Sequence, residues 1–362
     1  MSPAFSSTRQ AAAFALLLLL LLLLPVLAGK SWLPPRERIY SSLPWGAGAF
    51  PYIHDQIFEE KEDIDIAFMG SSRLWWGIDT PRVQAELSEK LGRQAVVRSL
   101  CWNSPGFDAF YFILQDLLQH RKVHVIVFCD LSDGAANAAH AWAPRWFRLA
   151  DNAEALAGLP WRSKPSFYAS AVLGMPRNLL GLLRANLPAV ASPEISWGNF
   201  TRIENPSRRL GSLVMNQSLT GTFARYAPQA GAGPADVCIY SDATRQSFHF
   251  SGNAIPPMQS AFARKIADLA RAREVKLVCL HLPTSTEMKS SVIEEPVFWP
   301  DFFQGDVTLA GIPPARLWAG MAGEDIPKLF WNYEHLNQNG QEYFTAVIAP
   351  ALARIYEDQT KP

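Results

Sequence analysis

The 362-residue sequence predicts an α/β protein with a central parallel sheet, carried behind an apolar N-terminal helix. Short apolar runs of strand length alternate with stretches of helical spacing over 61–133, the mark of parallel strands joined by helices. The same alternation resumes at residue 258 and continues towards the C-terminus. A third observation, an uncharged segment over 11–29 containing an unbroken leucine run at 16–24, predicts the membrane helix.

As a helix the segment 11–29 would extend roughly 28 Å, close to the hydrocarbon thickness of a bilayer. Residues 1–30 therefore read as a single-pass signal-anchor. Val26 and Ala28 offer the small-residue spacing a signal peptidase reads, and cleavage after Ala28 would give a secreted body. The run is long for a cleaved segment, which favours a retained anchor. Arg9 and the amino terminus stand against Lys30, Arg36 and Arg38 across the span, so counting cations does not favour a cytoplasmic N-terminus. A ten-residue leader before a leucine run nevertheless has the form of an export signal. The body is expected outside the cytoplasm, on the periplasmic side in a Gram-negative cell, with a cytoplasmic body as the competing reading.

Residues 31–60, with Pro34, Pro35, Pro44 and Pro51, read as a stem on the domain surface. Strand 64–70, helix 81–91, strand 95–100, helix 108–120 and strand 123–129 then follow in order, and residues 61–133 form the first half of the sheet domain. Residues 134–257 show helical stretches such as 166–187 but no alternation, which predicts a mainly helical insertion or cap. Residues 258–362 supply the second half, with a helix at 258–273, a strand at 275–282 and a final helix from Asn337 to Tyr356.

Lys+Arg and Asp+Glu both number 33, and no local basic run stands out, so nucleic acid is excluded as the main partner. Cys101, Cys129, Cys238 and Cys279 contain no pair at metal-ligand spacing and are too few for a disulfide framework. Cys129 and Cys279 each end an apolar run and are expected as buried thiols. No metal and no cofactor is expected.

Two motifs carry chemistry. Phe68-Met69-Gly70-Ser71-Ser72-Arg73 ends the first strand, where a glycine permits a tight turn and a serine at the following helix start has an exposed hydroxyl. Alone, such a serine reads first as a helix cap. The second motif runs from Phe330 through Asn332, Glu334, His335 and Asn337 to Gly340, with His335 in a loop ahead of the last helix. Alone, such a histidine is an ordinary surface or satisfied residue.

Together, a serine after the first strand and His-Leu-Asn-x-x-Gly before the last helix resemble the two ends of the SGNH (GDSL-like) hydrolase pattern. The resemblance covers 64–133 and 258–358. It is most similar to the membrane-anchored, extracytoplasmic branch that includes alginate O-acetylation proteins and the D-alanyl transfer protein of teichoic acid modification. It implies a flavodoxin-like three-layer α/β/α sandwich, Ser72 as nucleophile and His335 as base. The chain departs from the family at the third member: the pattern is Asp-x-x-His, and Asn332 stands three residues before His335. A neutral amide can orient the imidazole but does not stabilise the imidazolium by charge. Glu334 is a substitute carboxylate adjacent to the histidine. For the oxyanion, the N–H of Ser72 with Asn103 or Gly106 is expected, since Cys101 stands where the family has a glycine and Asp130-Leu131-Ser132-Asp133 replaces its Gly-x-Asn-Asp.

The chain has 12 tryptophans, and Trp75, Trp76, Trp102 and Trp331 fall near these segments. Stacking on sugar rings is one reading and core filling the other. Arg73 is expected to hold an acidic substrate group or to pair at the surface, and His281 to be structural. The expected function is acyl-ester hydrolysis or O-acyl transfer, of acetyl groups in the first place, on a cell-envelope or exported polysaccharide. The resemblance implies a multi-span membrane O-acyltransferase as partner. The alternative is a catalytically weak or inactive glycan-binding scaffold of a polysaccharide assembly complex.

Overall fold

In a computed structural model, residues 5–27, 35–43, 50–129, 139–146, 155–172, 180, 238–239, 256–287, 307–312, 314–330 and 332–360 are described. Six strands form one sheet: β1 (Ile64–Gly70), β2 (Val97–Cys101), β3 (Val123–Cys129), β4 (Cys238–Ile239), β5 (Lys276–Leu280) and β6 (Val307–Gly311). Their order is β2-β1-β3-β5-β6-β4. Every neighbouring pair is parallel except β4 with β6. β1, β3 and β5 are largely apolar runs without strict alternation because a parallel sheet is covered on both faces, and β2 buries Arg98 and Ser99 among its apolar residues. The register sets Gly70 beside Cys101 and Cys129 beside Leu280, so the carboxyl ends of these four strands share one edge.

The helices needed below are α1 (Thr8–Leu27), α2 (Ser72–Gly77), α3 (Thr80–Leu91), α4 (Phe107–His120), α5 (Pro257–Ala272) and α6 (Gln338–Thr360). The chain steps from β1 to β2 in one direction and from β2 to β3 in the other. Right-handed crossovers, the rule for parallel strands, would set α3 and α4 on opposite faces. α6 packs beside α3 and α5 beside α4, completing a helical cover on each side. Local signals fix α3: Asp79 accepts from the Arg82 N–H at its start, and Gly92 ends it in the left-handed region at φ 61°.

The expected stem is part of the body. Helices Glu37–Ser41 and Phe50–His54 and a π-helical turn, Asp55–Glu59, bury Ile39, Tyr40, Phe50, Ile53 and Ile57 in the core. Tyr40 donates to Asp116 Oδ2 at 2.9 Å, and Arg36 Nε lies 2.7 Å from Asp116 Oδ1, so a buried carboxylate on α4 is held by two groups from this segment. The ring of Tyr40 also meets Trp146 edge-on, which ties the described start of the insertion to the same place.

Within the insertion, residues 164–172 are helical, and the remainder of the helix expected over 166–187 lies outside the described residues apart from residue 180. β4 falls in this region and joins the sheet edge, where the sequence showed no strand pattern. β6 was also not expected. Cys101, Cys129 and Cys279 are buried thiols, as expected for the latter two. α1 carries the leucine run, and Leu16 to Leu23 are exposed. The side chains of α1 are described only as far as Leu23, and among the described residues no helix is long and apolar enough to cross a membrane.

Candidate active site

Ser72 is the first residue of α2, immediately beyond the carboxyl end of β1. Gly70 takes φ 156°, a conformation L side chains rarely adopt, and so lets the chain leave the strand sharply. The N-cap position belongs to Ser71, whose side chain makes no capping bond and approaches Cys129 Sγ at 3.6 Å. Ser72 is therefore not spent on capping. Its Oγ lies 2.9 Å from His335 Nε2, across 263 residues of sequence.

The histidine is delivered by a short closed loop. An antiparallel bridge between Phe330 and Leu336 pinches residues 330–336, and the Asn337 N–H donates to Leu329 O at 2.9 Å. The Asn337 side chain donates to Lys328 O at 2.7 Å and accepts from the Gly340 N–H at 3.1 Å, so one amide closes the loop and caps α6. A Cβ at Gly340 would fall 2.1 Å from Leu329 O, so glycine is required for this approach.

At the loop tip, Asn332 Oδ1 accepts from the backbone N–H of Glu334 at 3.0 Å and of His335 at 2.9 Å. These donors identify the atom facing the ring as oxygen. It also lies 3.0 Å from His335 Nδ1, which places the ring proton on Nδ1 and the Nε2 lone pair towards Ser72. The row Ser72–His335–Asn332 thus has the geometry of a nucleophile, a base and an orienting group. Glu334 Oε1 is 4.0 Å from Nδ1, too far to replace Asn332 as the hydrogen-bond partner.

Burial, and after it the positive charge of Arg73, pushes the His335 imidazole down to about 4. The ring is neutral at pH 7 and able to accept a proton, but its protonated form is disfavoured.

Arg73 does not offer its charge to an acidic substrate group, as one expectation had it, nor pair at the surface. It is buried, and its guanidinium donates to Leu282 O at 2.7 Å and Glu334 O at 3.4 Å, joining the segment after β5 to the histidine loop. The expectation of a tryptophan stacking platform is likewise corrected. Trp75, Trp76 and Trp102 are 4%, 7% and 1% exposed and belong to the core. Trp75 and Trp76 stack on each other, and Trp102 meets Phe110 edge-on. Trp331 lies outside the described residues.

Asn103 and Gly106 sit on the loop from β2 to α4. Gly106 lines a small crevice with Gly70, Ser71, Trp102 and Cys129. Its lack of a side chain answers to packing, since a Cβ there would come 2.8 Å from Asp108 Oδ1 and 2.9 Å from the His140 Cβ. Asn103 is held from the same side, its carbonyl 3.2 Å from His140 Nε2. Asp130 to Asp133 lie outside the described residues.

Sequence reasoning missed the bridging role of Arg73 and the partner of His281. His281 Nε2 lies 2.8 Å from Glu287 Oε2, and Thr284 donates to Glu287 Oε1 at 3.0 Å. Burial would raise the Glu287 carboxyl, but His281 and Arg73 hold it below its usual range. The six-residue spacing of His281 and Glu287 across a proline gave no periodic signal. Comparison with known proteins finds nothing similar to this chain: no family model, no curated protein and no solved structure matches.

Proposed function

We propose that this protein is an SGNH-type serine acyl-ester enzyme, a hydrolase or O-acyltransferase acting on acetyl or similar groups. The observation that carries the reading is the hydrogen-bonded row of Ser72, His335 and Asn332 at the carboxyl edge of a parallel sheet. With β4 set aside, the strand order follows the flavodoxin-like 2-1-3-4-5 pattern, which supports the three-layer sandwich the resemblance implies.

His335 Nε2 takes the Ser72 proton as Oγ attacks the acyl carbonyl, and the tetrahedral oxyanion forms beside the first-turn N–H of Ser72. The protonated ring then gives its proton to the leaving alcohol, leaving an acyl-serine. Water completes hydrolysis; a sugar hydroxyl completes transfer. Asn332 holds the ring tautomer throughout. The leucine run is the membrane anchor, and the body works outside the cytoplasm. The polysaccharide acceptor and a multi-span O-acyltransferase partner rest on the resemblance alone, because the tryptophans that suggested sugar stacking are in the core.

A second reading is favoured by one observation. The group 3.0 Å from His335 Nδ1 is the neutral amide of Asn332, and the base is pushed to about 4, far from the pH at which it would work best. A catalytically weak SGNH-like scaffold would show both features. Acetate release from a chromogenic acetyl ester separates the two. Activity in the parent that vanishes in Ser72→Ala supports the enzyme, and activity no higher than background in parent, Ser72→Ala and Asn332→Asp supports the scaffold.

A further inference from the structure

We propose that Glu37, His54 and Glu59 form a divalent-metal site, suited to Zn2+, that pins the first helix of the body to the segment preceding β1. One donor atom from each residue lies within 4.8 Å of the other two. The three come from separate turns of chain: Glu37 opens helix Glu37–Ser41, His54 ends helix Phe50–His54, and Glu59 ends the π-helical turn Asp55–Glu59.

The π-helical turn is what assembles them. In an α-helix Glu59, five residues after His54, would lie about 140° around the axis. The wider i→i+5 winding brings it back over His54, and such turns occur often at functional sites.

The imidazole is prepared as a ligand. Its Nδ1 lies 3.0 Å from Asp55 Oδ1, a carboxylate placed to orient the ring while Nε2 is offered to the ion. Nε2 lies 3.5 Å from Glu37 Oε1. Two donors on a tetrahedral zinc, each ~2.0–2.1 Å from the ion, are about 3.4 Å apart. One nitrogen and two carboxylates with a water in the fourth position match a borderline ion such as Zn2+ better than Ca2+ or Mg2+, which take more oxygen ligands. Glu37 is 51% exposed, so the ion has a path from solvent. Bound only by the folded chain, it would stabilise the packing of Tyr40 and of the turn Asp55–Glu59 against α4.

The test uses the full-length chain in detergent micelles, stripped with a chelator and titrated with Co2+, then with Zn2+ in competition. The expected result is one equivalent of Co2+ with tetrahedral visible bands, displaced by Zn2+, and a rise in Tm when Zn2+ is added. Glu37→Gln and Glu59→Gln are each expected to weaken Co2+ binding by about ten-fold or more. The metal-free Tm of both variants should stay at the parent value, which shows that they fold. No visible bands and no Tm shift in the parent would overturn the proposal, as would Co2+ affinity unchanged in both variants. A metal-free Tm lowered by Glu37→Gln, with no response to Zn2+ in the parent, would identify an ion pair in place of a metal site.

Discussion

One side-chain oxygen, Asn332 Oδ1, accepts from two backbone N–H groups and from the His335 ring, so the amide fixes the tautomer a serine nucleophile needs while contributing no charge. Asn332→Asp keeps the acceptor and adds the charge. An aspartate-to-asparagine change in a serine-protease triad costs ~10⁴-fold in rate, so the reverse change here is expected to raise kcat/KM on an acetyl ester by about ten-fold or more. The pH profile gives the matching sign. The base works when neutral, so with His335 at about 4 the parent should hold its activity as pH falls through 6 and lose it only near 4. In Asn332→Asp the carboxylate favours the imidazolium, and the acid limb of the profile should move to higher pH. An unshifted limb would show that His335 is not the titrating base. Ser72, His335 and Asn332 were legible because each lies within a short motif of fixed spacing. The roles of Arg73 and the tryptophans were not, because nearness in sequence to Ser72 says nothing about which face of α2 or which end of β2 a side chain occupies.

The loop before α6 shows how an element positions a single ring. Asn337 serves the Lys328 carbonyl and the Gly340 N–H at once. Asn337→Ala should therefore destabilise the protein by about 1–2 kcal/mol in urea unfolding, from the lost cap and the buried carbonyl left behind. It should also lower kcat more than it changes KM, since the displaced group is the proposed base. A stability loss with unchanged kcat would separate the cap from the site. The apolar runs that became β1, β3 and β5 were readable because strands covered on both faces need near-continuous hydrophobicity. β6 and β4 were not: β6 is a five-residue run mixing threonine and glycine, and β4 is two residues long and exists through its antiparallel pairing with β6. Periodicity cannot report a strand that a neighbouring strand induces.

Across the whole molecule, the apolar excess of a neutral chain divides into an exposed leucine helix and a body whose core extends back to Ile39. Removing residues 1–30, the proposed anchor, should leave the protein folded and, on that proposal, free of membranes. Removing residues 1–60 should not, because Ile39, Tyr40, Phe50, Ile53 and Ile57 are all within 2% of complete burial. At ~1.5–3 kcal/mol for each large apolar side chain, they contribute about 8–15 kcal/mol, comparable with the whole ~5–15 kcal/mol stability of a typical domain. Near-ultraviolet circular dichroism of the two truncations distinguishes these outcomes, and a folded 61–362 fragment would contradict the integrated stem. The central claim concerns a covalent bond, and the most direct test is to trap it. The full-length protein is incubated with a reactive acetyl ester, quenched in acid and digested, and the peptides are read by mass spectrometry. The account predicts an acetyl group on the Ser72 hydroxyl that is lost in His335→Ala and in Ser72→Ala; an unmodified Ser72 in the parent, or labelling that persists in His335→Ala, would contradict it.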